Sequence, residues 1–210
     1  MLYQDNGGER TLQADYCIST IPMPIFAELT TNLPAQVMTA AANLPPMAAG
    51  KVGWQAERFW ETNDNIYGGI SWTDDSIDQI WYPSSGFLAP KGTLTGAYMR
   101  GKSAVDFNAR PVAERLRLAK EQGERLHPGV FAKSVEHGVA IGWNNMEFAR
   151  LGWIYETDPR FQANAEVLAK PQGRFYFAGD QVTWWTGWQE GAVIAAWSAV
   201  QSISQQTRHG

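Results

Sequence analysis

Cys17 is the one cysteine in 210 residues, so an internal disulfide and any thiolate-built metal site are excluded. Positive charge is equally scarce. Seventeen Lys and Arg stand against 21 Asp and Glu, giving a net charge of -4, and phosphate backbones need clustered cations. Nucleic acid is therefore not an expected partner. No run of 18 apolar residues exists, so no membrane span is expected. The opening "MLYQDNGGER" lacks the basic and apolar regions of a secretion signal, and no Asn-x-Ser/Thr sequon occurs, which favours a cytoplasmic location. His127, His137 and His209 read as a helix end, a loop and a tail, without metal spacing or a nucleophile partner. Against these absences stand ten tryptophans.

Along the chain, residues 1–20 read as a hairpin whose strands "MLYQD" and "TLQADYCIST" flank Asn6-Gly7-Gly8, a source of positive φ. Pro22 and Pro24 end the second strand. "LPAQVMTAAANL" is helix-like, with Leu33, Val37, Ala41 and Leu44 on one stripe. "KVGWQAERFW" alternates as a strand, Val52, Trp54 and Ala56 on one face and Lys51, Gly53 and Gln55 on the other. Short strands are expected at "GGISW", "QIWYPS", "GTLTGAYMR" and "GVAIGW". Residues 110–126 form an amphipathic helix between Pro111 and the stop His127-Pro128-Gly129. Residues 144–173 read as irregular, and a strand at 174–178 leads to a helix from about Gly187 to Gln205. The fold class is α/β (α+β): both chain ends make one partial Rossmann-like unit, and a mostly antiparallel sheet with helices is inserted between them.

The chemistry concentrates in "RFYFAGDQVTWWTGWQEGAVIAAW", residues 174–197. The four apolar residues after Arg174 suit a strand buried on both faces, and ligands of open α/β sheets bind beyond such carboxyl ends. Gly179 allows close backbone approach, and Asp180 can hydrogen-bond. "TGWQ" matches a capping box with Thr186 as cap, and the following helix start favours negative charge in front of it. A capped core helix with Ala192, Ala196, Ala199 and Ile203 packed inward satisfies the same pattern.

This stretch resembles the C-terminal cofactor motif of the flavin-containing amine oxidases, the family of monoamine, polyamine and L-amino-acid oxidases. Phe177-Ala178-Gly179-Asp180 and Gly187-Trp188-Gln189-Glu190-Gly191-Ala192 carry the likeness. Three further stretches match in order: "ADYCISTIP", "GKVGWQAERFW" and "GWNNMEFARLGW". The resemblance implies non-covalent FAD, with Gly179, Asp180, Gly187, Trp188, Gln189 and Ala192 on the cofactor and Trp143 against the flavin. It makes Lys51 the active-site lysine, holding a water near the flavin. Trp153 and Trp188 become substrate walls, bordered by Tyr98 or Tyr82, and one of Trp184 and Trp185 lines the cavity. Gly152 stands where some members carry the cysteine that tethers FAD.

The family's Gly-x-Gly-x-x-Gly turn is absent from these residues, so the likeness is to a C-terminal portion. Its expected partners are an amine or amino-acid substrate, O2 and an N-terminal half carrying that turn, and a homodimer is compatible. Residues 1–26 and 170–210 would serve FAD, and 27–169 the substrate. Oxidative deamination of an L-amino acid is the leading expectation. A monoamine or polyamine oxidase is the second, and a binding domain that has lost FAD is the third. An apolar surface left open for the N-terminal half is also expected.

Overall fold

The computed structural model describes residues 1–209. In chain order the first elements are β1 (Leu2–Asp5), β2 (Gly8–Thr11), β3 (Cys17–Ser19), α1 (Met23–Phe26) and α2 (Ala35–Asn43). Next come β4 (Pro46–Met47), β5 (Ala49–Glu57), α3 (Phe59–Thr62), β6 (Gly69–Trp72), β7 (Gln79–Tyr82) and β8 (Lys91–Arg100). They are followed by α4 (Gly101–Asn108), α5 (Val112–Leu126), α6 (Phe131–Ser134), β9 (Val135–Gly142) and β10 (Trp153–Ile154). The chain closes with α7 (Phe161–Leu168), β11 (Phe175–Phe177) and α8 (Gln189–His209). These divide into two compact units: residues 1–45 with 154–210, and residues 46–153.

The first unit joins the chain ends. β3 and β11 pair in parallel, Cys17 beside Phe175 and Ser19 beside Phe177, as the mixed fold class requires. Phe26 packs edge-on against Phe177 at 4.8 Å, burying the strand end. Buried Gln181 secures the preceding proline segment: its Oε1 accepts from Met23 N at 3.0 Å and its Nε2 donates to Ile21 O at 3.0 Å. A polar side chain this deep is stable because both ends of its amide are satisfied. α2 and α7 also belong to this unit, so 27–45 and 154–169 lie with the chain ends rather than with the inserted sheet.

The hairpin differs from expectation in two respects. β1 and β2 pair from Leu2–Thr11 to Asp5–Gly8, but the second strand stops at Thr11 and residues 17–19 leave for β11. Of Asn6, Gly7 and Gly8, Gly8 alone takes positive φ, at 109°. The Asp5 carboxylate accepts from Gly7 N at 2.8 Å and bends the turn in place of Asn6.

The second unit is built on an antiparallel sheet ordered β6-β7-β8-β5-β9. Val52, Trp54 and Ala56 of β5 are buried, as the alternation predicted, with Leu94, Ala97, Phe107, Ala119 and Phe131 in the same core. The large apolar side chains among these, such as Val52, Leu94, Phe107 and Phe131, each contribute about 1.5–3 kcal/mol on burial. β9 bulges opposite Trp54, and in that bulge Gly138 lies against the indole, where a Cβ would stand 2.2 Å from it. His137 lies in that bulge at φ 49°, inside a strand rather than a loop, and the His209 side chain lies outside the described residues. α4 and α7 replace stretches with no expected helix. Among the described residues no helix is long and apolar enough to cross a membrane, and no His/Cys/Asp/Glu group could hold a metal.

Candidate active site

In the first unit the candidate residues gather where β11 ends. Gly179 takes φ 107° and ψ 163°, a conformation that leaves its backbone bare. Asp180 then turns the chain. Its carboxylate accepts from Gly187 N at 2.6 Å, closing a six-residue loop. Inside that loop the Thr183 hydroxyl donates to Asp180 O at 3.0 Å and accepts from Trp185 N at 3.2 Å. Thr186 is not the helix cap: its hydroxyl donates to Glu156 at 2.7 Å, and α8 begins at Gln189. A carboxylate thirty residues away outcompetes the local cap because a charged acceptor makes the stronger bond.

Trp184 packs edge-on against buried Phe161 at 5.1 Å, and Trp184, Trp185 and Trp188 are all more than half exposed. Trp188 N donates to Trp185 O at 3.3 Å and Gly191 N to Trp188 O at 3.2 Å. Gln189 and Glu190 occupy the first two helical positions, whose N–H groups have no acceptor within a helix. Gly191 admits no side chain, since a Cβ there would meet Trp185 O at 2.2 Å. The buried stripe of α8 is Gly191, Ala195 and Ala199, with Ala192 half-buried. Ala196 faces outward, contrary to the inward set read from the sequence, beside exposed Val193, Trp197 and Val200.

In the second unit, Lys51 and Tyr98 are cross-strand neighbours on the sheet face away from the core. The Lys51 ammonium stands 4.5 Å from the Tyr98 ring centre, within cation–π range, and Trp81 lies 5.6 Å from the same ring. Trp81 Nε1 donates to Gln79 Oε1 at 2.6 Å, which fixes the indole. Burial pushes the Tyr98 hydroxyl above its ordinary range, with nearby Arg100 offsetting part of the rise. Trp143 opens a short turn after β9 and is 37% exposed; Gly142 before it pairs with Gly50, next to Lys51. Trp153 is half-buried in β10. Ahead of it, a side chain on Gly152 would meet the Ala49 methyl at 2.5 Å, so close packing against Ala49 favours glycine there.

Sequence reading missed a buried polar chain in this unit. Asp64 meets His127 Nδ1 at 2.9 Å, His127 Nε2 meets the Tyr82 hydroxyl at 2.6 Å, and Tyr82 meets Ser71 at 2.8 Å. Tyr82 thus points to His127 and the core, and burial raises its hydroxyl pKa. The signal was split over four distant positions, so no local pattern carried it.

The model of the flavin-containing amine oxidoreductases matches residues 2–204. The chain belongs to that family. It is 29% identical over 203 residues to the flavin-dependent L-tryptophan oxidase RebO of Lentzea aerocolonigenes, covering 93% of this chain and 43% of that protein. It is 30% identical to an L-amino-acid oxidase of Mus musculus, covering 96% of this chain and 32% of the other. Among solved structures, cyclohexylamine oxidase from Brevibacterium oxydans superposes with a TM-score of 0.81 at 19% identity, over 99% of this chain and 48% of that one. The chain thus spans less than half the length of these relatives.

Family membership implies a flavin, and the residues present fit its ring end. Gly179, with its positive φ, and the first amides of α8 are the groups near the strand end that would face a flat ring, whereas the space over Gly191 is taken by Trp185 O and the Thr183 hydroxyl. For a pyrophosphate, these 210 residues contain no Gly-x-Gly-x-x-Gly turn.

Proposed function

We propose that this chain supplies the flavin-ring and substrate portions of an FAD-dependent oxidase acting on an amine, with an L-amino acid as substrate. The observation that carries the reading is the corner from Gly179 to Gln189. There a parallel strand end, a glycine at φ 107° and a helix start occur within one short stretch of the family motif. The L-tryptophan and L-amino-acid oxidases among the relatives favour the amino acid over a simple amine.

When bound, FAD would supply the redox chemistry of amine oxidation, as acceptor of a hydride from the substrate α-carbon and donor of two electrons to O2, with hydrogen peroxide as product. The chain's own groups do the rest. Gly179, Asp180, Gly187 and Ala192 shape the cofactor-side backbone, and the first amides of α8, from Gln189 on, present partial positive charge to an electron-rich ring edge. Trp143 offers an indole to the cofactor. Trp153 and Trp188 are the candidate substrate walls, apolar surfaces suited to excluding water, and Tyr98 stands beside Lys51. The Lys51 ammonium holds water for hydrolysis of the product imine to a keto acid and ammonia. Gly152, closed to any side chain, supports non-covalent binding of FAD. The N-terminal partner is a polypeptide bearing the pyrophosphate-binding turn, and the exposed apolar face of α8 is the surface left for it.

The test mixes the purified chain with such a segment and follows flavin absorbance and peroxide release over a panel of L-amino acids, monoamines and polyamines. Flavin retention with peroxide from L-amino acids is the expected result. Peroxide from amines alone would move the assignment to the amine branch. Flavin-free protein in every mixture would leave a binding domain that has lost FAD.

A further inference from the structure

The three indoles beside the Gly179 corner, Trp184, Trp185 and Trp188, are each more than half exposed, yet the loop that carries them is tied at several points. Residues 181–187 could have been a slack connection between β11 and α8. Instead the Asp180 carboxylate holds Gly187 N at 2.6 Å, and the Thr183 hydroxyl bridges Asp180 O and Trp185 N at 3.0 and 3.2 Å. Thr183 N also donates to Asp180 O at 3.0 Å. Glu156 takes the Thr186 hydroxyl, and Phe161 backs Trp184. Thr183 is the centre of this lock. Its one hydroxyl both donates and accepts, and a Cβ on Gly191 would come within 2.7 Å of it and 2.2 Å of Trp185 O. Helix, loop and corner therefore share one set of contacts.

We infer that Thr183, working with Asp180, is a positioning residue that fixes Trp185 and Trp188 as a rigid aromatic face at the head of α8. It acts through Asp180 O, Trp185 N and Gly187 rather than by touching substrate or cofactor. This inference rests on the oxidase reading only for what the face is used for; the lock itself is a property of the apoprotein. A preset indole face presents large apolar area without the ordering cost that a mobile loop would bear on each binding event. Threonine suits the position because serine and threonine hydroxyls bond backbone groups two or three residues away.

The experiment compares Thr183→Ser, which keeps the hydroxyl, with Thr183→Val, which keeps the shape, and Asp180→Asn with Asp180→Ala. All are made in the whole protein carrying this chain. Amide exchange at Trp185 and Gly187 and the near-ultraviolet circular dichroism of the indoles are read first. Thr183→Val should speed exchange at Trp185 roughly tenfold and flatten the indole bands, while Thr183→Ser stays within about twofold of the parent. Asp180→Ala should do the same at Gly187, with Asp180→Asn keeping most of the protection. Steady-state turnover then separates use from structure: Thr183→Val should raise KM several-fold more than it lowers kcat. Unchanged exchange in Thr183→Val, or equal loss in Thr183→Ser, would overturn the inference. If the exchange pattern holds but no variant or parent retains flavin or releases peroxide, the oxidase reading fails and the lock stands. If Thr183→Val fails to fold, Thr183→Ala and the Asp180 pair give the same readouts.

Discussion

The two units handle apolar surface in opposite ways. The inserted unit covers one face of its sheet with α4 and α5 and buries Trp60, Ile77, Ile80, Leu94, Met99 and Phe131 to essentially zero exposure. In the unit made from the chain ends, a two-stranded parallel pair does the joining, and α8 leaves Val193, Trp197 and Val200 exposed, Trp197 by 70%. Parallel strands are ordinarily covered on both faces, so a two-stranded pair is a fragment of such an arrangement in physical terms. The contrast is clearest in the tryptophans: Trp54 and Trp60 are enclosed in the core of the inserted unit, whereas Trp184, Trp185, Trp188 and Trp197 of the other unit are all more than half exposed.

The sharpest way to break that contrast is to truncate one indole in each unit. Trp60→Ala should cost about 3–5 kcal/mol in denaturant unfolding, since the ring is wholly enclosed. Next in size is Gly191→Ala, which drives a methyl against Trp185 O and should destabilise the end unit by about 1–3 kcal/mol, read from thermal melts. His127→Ala leaves Tyr82 and Asp64 without their ring partner and should cost a comparable or smaller amount, about 1–3 kcal/mol. Trp197→Ala should change stability by less than about 0.5 kcal/mol while reducing self-association of the chain in sedimentation velocity.

Acid offers a further handle on the inserted unit. Arg58 hydrogen-bonds Glu61 at 2.8 Å, with Leu88 N donating to the other oxygen, and together they hold the Glu61 carboxyl below its ordinary range against the opposing effect of burial. A folded pKa below the unfolded one stabilises fully above the unfolded value, about 4.3, and the gain disappears as pH falls through the folded value. Stability of this unit should therefore drop on acidification below about pH 4, and Glu61→Gln should flatten that limb while lowering stability at neutral pH. Melts followed by near-ultraviolet circular dichroism across that range decide it.

Where the pattern was local, the sequence was sufficient. β5 was legible from its alternation, and α5 from Pro111 at its start and His127-Pro128-Gly129 at its end. The motif around Gly179 and Gly187 was legible as well, because both glycines take positive φ that few other residues tolerate. Lys51 and Tyr98 could be nominated separately, yet their 4.5 Å contact depends on the β5–β8 register. α4 and α7 escaped notice because eight-residue helices carry little periodicity, and their burial is decided by the partners they meet.

By itself, then, the chain's order of residues determined the locally patterned elements, β5 and α5 with its two ends above all, and which family motif the corner spells. Those properties follow from side-chain periodicity and backbone sterics within a few residues. Tertiary structure alone decided that Cys17–Ser19 leaves its hairpin for a partner 158 residues on, as Cys17 pairs with Phe175. It also decided that Thr186 serves Glu156 rather than its own helix, and that His127 sits at the middle of a buried chain of hydrogen bonds. The reason is common to all three: each depends on an acceptor or strand edge that folding brings near, and a buried polar group takes the best partner within reach.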